Sequence, residues 1–180
     1  MKIEIKHNLT GEVLFEYEKE NNTIKDTLME AIKKGTDLRG ADLSNSNLDG
    51  IDLHRTDLSG ANLYNVNLSD ANLFSTNFYG ANLYGANLFS AYLYYTDLRD
   101  ADLRDALLRH AKLKNANLCG CQFYINSLYK IDLHNVNLCD VKLFNSSDNI
   151  GIIEDWMSFD NVGSRKSKTL FFKTNKGVFV

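Results

Sequence analysis

The chain has 180 residues, 44% of them apolar, and a formal net charge of −3. That length gives room for one domain, or for one elongated domain with small terminal additions. The near balance of charge excludes a strongly basic nucleic-acid binder and a strongly acidic chain. No apolar run reaches signal-peptide or membrane-span length, so a soluble cytoplasmic protein without membrane contact is expected. Three Cys fit a reducing compartment better than a disulfide framework. Proline is absent, which suits a fold in which nearly every backbone N–H donates to a ladder.

Residues 2–18, KIEIKHNLTGEVLFEYE, alternate apolar and polar on both sides of LTGE, the pattern of a β-hairpin with a Gly-containing turn. Next comes a helix signal: Asn22 or Thr23 as N-cap, apolar Ile24, Leu28, Met29, Ala31 and Ile32, basic Lys33 and Lys34 in the last turn, and Gly35 as the stop. This short helix feeds straight into the following segment and is expected to lid its Leu38 and Leu43 end.

From Thr36 the chain becomes a five-letter word, beginning TDLRG, ADLSN, SNLDG, IDLHR. Twenty-two such words fill residues 36–145 without insertion or deletion, and the third letter is Leu in all but two, where Phe78 and Phe123 stand. Period five serves neither a helix nor a strand. It serves a chain that turns a corner every five residues and puts one large and one small side chain inward at each. The first letter is accordingly mostly small, and the fourth and fifth letters are read as free.

The word A(D/N)LXX resembles the pentapeptide-repeat family. The resemblance covers residues 36–145 and implies an all-β solenoid, a right-handed quadrilateral β-helix with four words per coil. Here that makes about five and a half coils, stacked at about 4.8 Å. Three units are expected: residues 1–35 as hairpin and capping helix, 36–145 as the β-helix, and 146–180 as a C-terminal cap. Tyr92, Leu107, Lys112, Gln122, Ser127 and Lys142 depart from the second-letter Asn or Asp, and Asn126 puts a polar group inward. Looser coils are therefore predicted from Leu107 onward.

Residues 146–165, which hold the only Trp, are expected to be irregular or briefly helical, and SKTLFFKTNKGVFV predicts a second hairpin about TNKG. The chain stops at Val180 while still apolar, as a strand ending against the body or short of a further segment.

With four words per coil, residues 20 apart lie above one another. Tyr79, Tyr84, Phe89 and Tyr94 then form an aromatic belt, and Arg99, Arg104, Arg109 and Lys114 a basic belt directly above it. Each cation is expected over its ring, with Tyr124 and Tyr129 continuing two columns. Asp97, Asp100, Asp102 and Asp105 would neutralise much of the basic belt. Two readings stand side by side. Stacked side chains brace the solenoid, as cross-strand pairs do. Alternatively Tyr64, Tyr84, Tyr92, Tyr94, Tyr95, Arg99, Arg104 and Arg109 form a partner-binding face, since Tyr and Arg are the usual interface anchors.

Catalytic chemistry is not signalled. There is no Gly-rich phosphate loop or nucleophile motif, and a filled β-helix implies no pocket. The repeated Asp residues are structural letters of the word. Cys119 and Cys139 are stacked neighbours read as two free surface thiols, because parallel side chains leave sulfurs poorly oriented for a bridge. No His shares their face, so no zinc site and no cofactor are expected.

The functional expectation is a non-enzymatic protein-binding scaffold that inhibits or modulates a bacterial host enzyme through the aromatic and Arg columns. Its partner is an unidentified protein, such as a nucleic-acid-handling or defence enzyme. The terminal hairpins weakly resemble bacteriophage-carried members of the family. A second reading, implied by family members that mimic DNA and inhibit DNA gyrase, uses the acidic patch Asp37, Asp42, Asp49, Asp52 and Asp57. Mimicry needs a continuous negative stripe, and residues 36–145 carry 12 Asp against 9 Lys plus Arg. Interleaved Asp residues also argue against direct nucleic-acid binding. A self-associating rod, for instance a homodimer, is the remaining alternative.

Overall fold

A computed structural model describes residues 1–124, 127, 131–133, 135–144, 149–159, 169–174 and 177–179. Strands β1 (Lys2–Lys6) and β2 (Val13–Glu18) form the expected antiparallel hairpin, with Ile5 opposite Phe15 and an irregularity after Ile5. Helix α1 (Ile24–Lys33) starts at Thr23, whose side-chain oxygen accepts the Asp26 N–H while the Asp26 carboxylate accepts the Thr23 N–H, a capping box. Asn22 turns inward instead and donates to the Tyr17 carbonyl at 2.7 Å. Gly35, at φ 69°, ends the helix in the left-handed conformation that costs glycine least.

The N-terminal end of the core is closed by both elements, not by the helix alone. Leu28 and Ala31 of α1 and Ile5 of β1 are fully buried beside Leu38 and Leu43, whereas Met29 stays exposed. The hairpin covers the ladder edge: the Asp42 N–H donates to the Lys6 carbonyl at 2.7 Å and the Asn8 N–H to the Gly40 carbonyl at 2.8 Å. Unpaired edge groups that would otherwise recruit another strand are thereby satisfied.

From residue 36 the backbone repeats every five residues and pairs every twenty. Parallel bridges run in four series, such as Asp42 to Asn62 to Asn82 to Asp102, and Asp52 to Asn72 to Tyr92 to Lys112. Faces are numbered one to four from the words beginning at Thr36, Ala41, Ser46 and Ile51. Third-letter Leu or Phe and first-letter Ala, Val, Ile or Thr fill the interior, with Phe78 and Phe123 its largest side chains. Thr76 and Thr96, buried at first letters, donate their hydroxyls to the Leu53 and Leu73 carbonyls at 2.8 Å. Buried polar groups need such partners.

Most of a word's N–H groups have a place to go. The second donates to a first-letter carbonyl one coil below, the third and fifth to carbonyls one coil above, and the first closes a turn onto the preceding third letter; examples are Asn62 to Ala41, Leu43 to Asn62, Asn45 to Tyr64 and Ala41 to Leu38. Where the second letter is Asn or Asp, the fourth donates to that side chain, as Tyr64 does to Asn62 Oδ1; Tyr92, Leu107 and Lys112 offer their words no such acceptor. Proline at any of these bonded positions would remove a donor.

The fifth letter is not free. It carries positive φ in word after word, through Gly40, Asn45, Arg55, Asn65, Tyr95, Asp105 and His110. A turn with positive φ only at its third residue is type II, so Gly, Asn and Asp are favoured there for conformational reasons. This corrects the reading of two free letters.

The irregular second letters Leu107 and Lys112 still pair, with Asn87 and Tyr92. Beyond them, single bridges widen into the short parallel strands β3 (Gln122–Tyr124) and β4 (Lys142–Phe144). Asn126 lies outside the described residues. Strand β5 (Asn149–Phe159) then pairs antiparallel with β4, and β6 (Thr169–Thr174) and β7 (Gly177–Phe179) continue the sheet in the order β3-β4-β5-β6-β7. Much of 146–165 is thus a long strand rather than irregular or helical. Its residues 152–159, IIEDWMSF, do not alternate as a half-buried strand would; the β4 edge gives the segment its template. Strands β6 and β7 form the expected second hairpin, pairing Lys173 with Val178; its turn lies outside the described residues.

Candidate partner-binding surface

Second-letter Asn and Asp side chains do two jobs. Their Oδ1 accepts the fourth-letter N–H of the same word, and it also accepts an amide N–H from the side chain one coil above; Asn82, for example, donates to Asn62 Oδ1 at 3.1 Å. These are Asx turns stacked into a side-chain ladder. They hold each fourth letter at a fixed place on the outer face.

On face two the fourth letters form a continuous stack. The Tyr64 and Tyr84 rings lie 5.8 Å apart and nearly parallel, at 18°. The Arg104 guanidinium covers Tyr84 at 5.6 Å and Phe144 at 5.4 Å, and Phe144 meets Tyr124 edge-on at 6.4 Å. Asp102 fixes Arg104 through bonds of 2.9 Å from Nε and 2.6 Å from Nη2. The neighbouring Asp105 carboxylate favours the neutral phenol of Tyr84 and raises its pKa to about 12. Beside this stack lies an open groove of about 610 Å³ lined by Tyr64, Asn82, Tyr84, Asp100, Arg104 and Gln122, with Gly80 leaving its floor bare.

Face one repeats the motif once. Arg99 covers Tyr79 at 5.4 Å and is gripped by Asp97 at 2.9 and 2.6 Å. That pairing holds the Asp97 carboxyl below the usual carboxylate range. The other two cation–ring expectations fail. Phe89 is met by the His110 ring edge, at 5.4 Å and 90°, instead of by Arg109. On face four Lys112, the bridge partner of Tyr92, lies 4.0 Å above the Tyr92 ring, and no Lys114 to Tyr94 contact is made among the described residues. The reason lies in the words themselves: Arg99 and Arg104 have Asp two residues earlier, whereas Arg109 has Leu107 and Lys114 has Lys112. Neutralisation follows the same rule, through Asp97 and Asp102, while Asp105 serves Tyr84.

The predicted partner-binding residues therefore divide. Tyr64, Tyr84 and Arg104 share face two, and Arg99 stands on face one. Tyr92, Tyr94 and Tyr95 share face four, where Tyr95 meets Phe74 edge-on at 5.6 Å. Tyr92 and Tyr94 line a second groove, of about 540 Å³, with Asp52, His54, Arg55 and Phe74. Arg109 belongs to face three. Sequence reasoning missed Phe144; it placed Asp102 among the neutralisers of the basic belt but not as the group that positions Arg104, for which the D-L-R spacing was the available signal.

The acidic residues are not brought onto one face. Asp37 and Asp57 lie on face one, Asp42 on face two, Asp49 on face three and Asp52 on face four. Each is engaged locally. Asp37 holds Arg39 and has its pKa lowered to about 2 by that bond. Asp52 meets His54 Nδ1 at 2.8 Å, Asp49 accepts the Ser69 hydroxyl at 2.6 Å, and Asp42 and Asp57 accept the Asn62 and Asn77 amides.

Cys119 and Cys139 are joined in a disulfide with Cα atoms 4.5 Å apart, which overturns the expectation of two free thiols. The rung spacing itself sits at the short end of the permitted Cα range, and equivalent backbone turns put both cysteines in one column on face one. Their sulfurs and an Asp140 oxygen lie within 4.8 Å of one another; the bridge engages both sulfurs. Cys121 points inward as expected and donates to the Leu98 carbonyl, and burial pushes its thiol pKa up.

The family model for pentapeptide repeats matches residues 36–73, 67–105 and 101–140. The chain belongs to the pentapeptide-repeat family. Among solved structures of family members, Rfr23 from the cyanobacterium Cyanothece 51142 is 33% identical over 52% of this chain and 60% of its own, with a TM-score of 0.41. The pentapeptide repeat protein alr5209 from Nostoc PCC 7120 is 29% identical over 69% of this chain and 100% of its own, at 0.37. Trypsin-treated QnrB1, a plasmid-mediated fluoroquinolone resistance protein, is 24% identical over 58% of this chain and 56% of its own, at 0.28. The chain thus spans less than two thirds of the length of Rfr23. Comparison with curated proteins gave no match.

Proposed function

We propose that this protein is a non-enzymatic scaffold that binds a protein partner through its aromatic and Arg columns, with the face-two stack as the principal contact. The reading takes the solenoid as right-handed with about five and a half coils, the count its 22 words imply. The observation that carries it is the fixing of Arg104. Its guanidinium is held by two hydrogen bonds, lies against two rings, and remains one third exposed. Interface anchors are rigid Tyr and Arg side chains whose ordering cost is met before binding. A brace alone would not require an open groove beside the stack. A bacterial nucleic-acid-handling or defence enzyme is the partner class put forward.

Mimicry of DNA draws less support, because the five acidic residues are spread over four faces and engaged by neighbours. The test is affinity capture of tagged protein from a bacterial lysate at low salt, using wild type, Arg104→Ala and Tyr84→Ala, with bound proteins identified by mass spectrometry. A partner retained by wild type and lost by both variants is expected. A DNA-handling enzyme held equally by all three, and released steeply by salt, would move the site to the acidic words.

A further inference from the structure

Three words carry Asp at the second letter and Arg at the fourth, at 37–39, 97–99 and 102–104. In each, Arg Nε lies 2.9 Å from one carboxylate oxygen of its own word's Asp, and Nη2 takes the other. In the last two the guanidinium also lies against the ring one coil away. The fold thus has a repeated way of holding an arginine, between a carboxylate two residues back and a ring twenty residues along the column.

The word 41–45, ADLSN, keeps the second-letter Asp without the arginine: Asp42 accepts the Ser44 N–H at 3.1 Å and the Asn62 amide at 3.0 Å, both on Oδ1, which leaves Oδ2 for a further donor. Asp42 is exposed and makes no ion pair among the described residues. Ser44 stands at the fourth letter, and Tyr64 follows one coil above it, with the Asn45 N–H on the Tyr64 carbonyl at 2.8 Å. Tyr64 ends the face-two stack: one side of its ring is covered by Tyr84, and the other lies toward the coil of Ser44, leaving the residue 39% exposed. The comparable word 56–60 is already served, since Arg39 one coil below is influenced by the Asp57 charge and Arg99 covers Tyr79.

We propose that Asp42, Ser44 and Tyr64 form a niche for an arginine side chain presented by a protein partner. The guanidinium pairs with the Asp42 carboxylate and stacks on the open face of Tyr64, extending a column that already contains one guanidinium. Both faces of a phenol ring carry the same negative potential, so a cation beneath Tyr64 is held as Arg104 is above Tyr84. Ser44 is small enough to leave the space, and a planar fork suits it better than a compact ammonium. This inference rests on the protein-binding reading and names the chemistry its partner presents.

The test is a titration of isotope-labelled protein with acetyl-Gly-Arg-Gly-amide and with its Lys twin, following the magnetic-resonance signals of Ser44 and Tyr64. Saturable shifts with the Arg peptide are expected, and binding about three- to tenfold weaker for the Lys peptide and for Asp42→Asn. Asp42→Asn keeps the ladder, because Asn47 accepts the Asp49 N–H and the Asn67 amide in the same role. Ser44→Arg, which fills the niche from within, should abolish the response. Equal binding of the two peptides, an unchanged response in Asp42→Asn, or no saturation would overturn the niche. Arg104 lies outside it, so loss of the niche leaves the capture experiment with Arg104→Ala to decide the protein-binding reading separately.

Discussion

Arg104 and Asp102 stand two residues apart in one word and are joined by two hydrogen bonds, of 2.9 and 2.6 Å. The pair turns a long flexible side chain into a fixed plate between Tyr84 and Phe144. Asp102→Asn keeps the second-letter acceptor for the Arg104 N–H but weakens the grip on the guanidinium. Stability should change by no more than about 1 kcal/mol, as for other surface ion pairs, while partner capture falls. Parallel thermal melts and capture assays check both.

Interior letters should respond quite differently. Leu83 is fully buried, and Leu83→Ala should cost about 2–5 kcal/mol through lost burial and the cavity left behind. Chemical denaturation measures it.

The two glycines of adjacent words separate conformation from space. Gly80 has φ 63° and open space where a side-chain methyl would stand, whereas a methyl at Gly85 would lie 2.2 Å from Asn65 Oδ1. Gly80→Ala should cost about 1 kcal/mol for the left-handed backbone, and Gly85→Ala should cost more. Reversal of that order in denaturation midpoints would contradict the close approach of Asn65 to Gly85.

Two surface groups should contribute modestly to the acid and alkaline dependence of stability. The Asp37 pKa is lowered to about 2 by the Arg39 bond, so its contribution is present above the unfolded value near 4 and is lost as pH falls through about 2. The Tyr84 pKa is raised to about 12, chiefly by Asp105, so its contribution is present below about 10 and is lost as pH rises through about 12. Melting curves should show Asp37→Asn flattening the acid limb and Tyr84→Phe the alkaline one.

The disulfide closes a loop of sequence separation 20. A loop of that size is worth about 3 kcal/mol in the chain-entropy account, so Cys139→Ser, or reductant, should lower stability by about that amount. Thiol titration of the unfolded, unreduced protein should find one free thiol, that of Cys121, and three after reduction.

The repeat made the solenoid words, the inward letters and the rung partners legible, because a five-residue period with Leu at nearly every third letter has few physical solutions. The fifth letter was misread: Gly and Asn at 40, 45, 60, 65, 80 and 85 are a turn signal, masked by Arg55, Tyr95 and His110 at equivalent places. Two cation–ring pairs were placed correctly and two were not, because column position alone was used; the carboxylate two residues back decides whether an Arg is held. The Cys119–Cys139 bridge was missed through a general expectation about parallel strands, although the spacing permitted it. Strand β5 was hidden because its template is the β4 edge, a tertiary feature that no local pattern reveals.

The most direct test of the central claim uses the captured partner, measuring its affinity for wild type and Arg104→Ala beside the melting temperature of each. A binding site predicts an affinity loss of at least about tenfold, as for an interface anchor, with a melting temperature nearly unchanged. Unchanged affinity with a lowered melting temperature would make the column a brace and contradict the account.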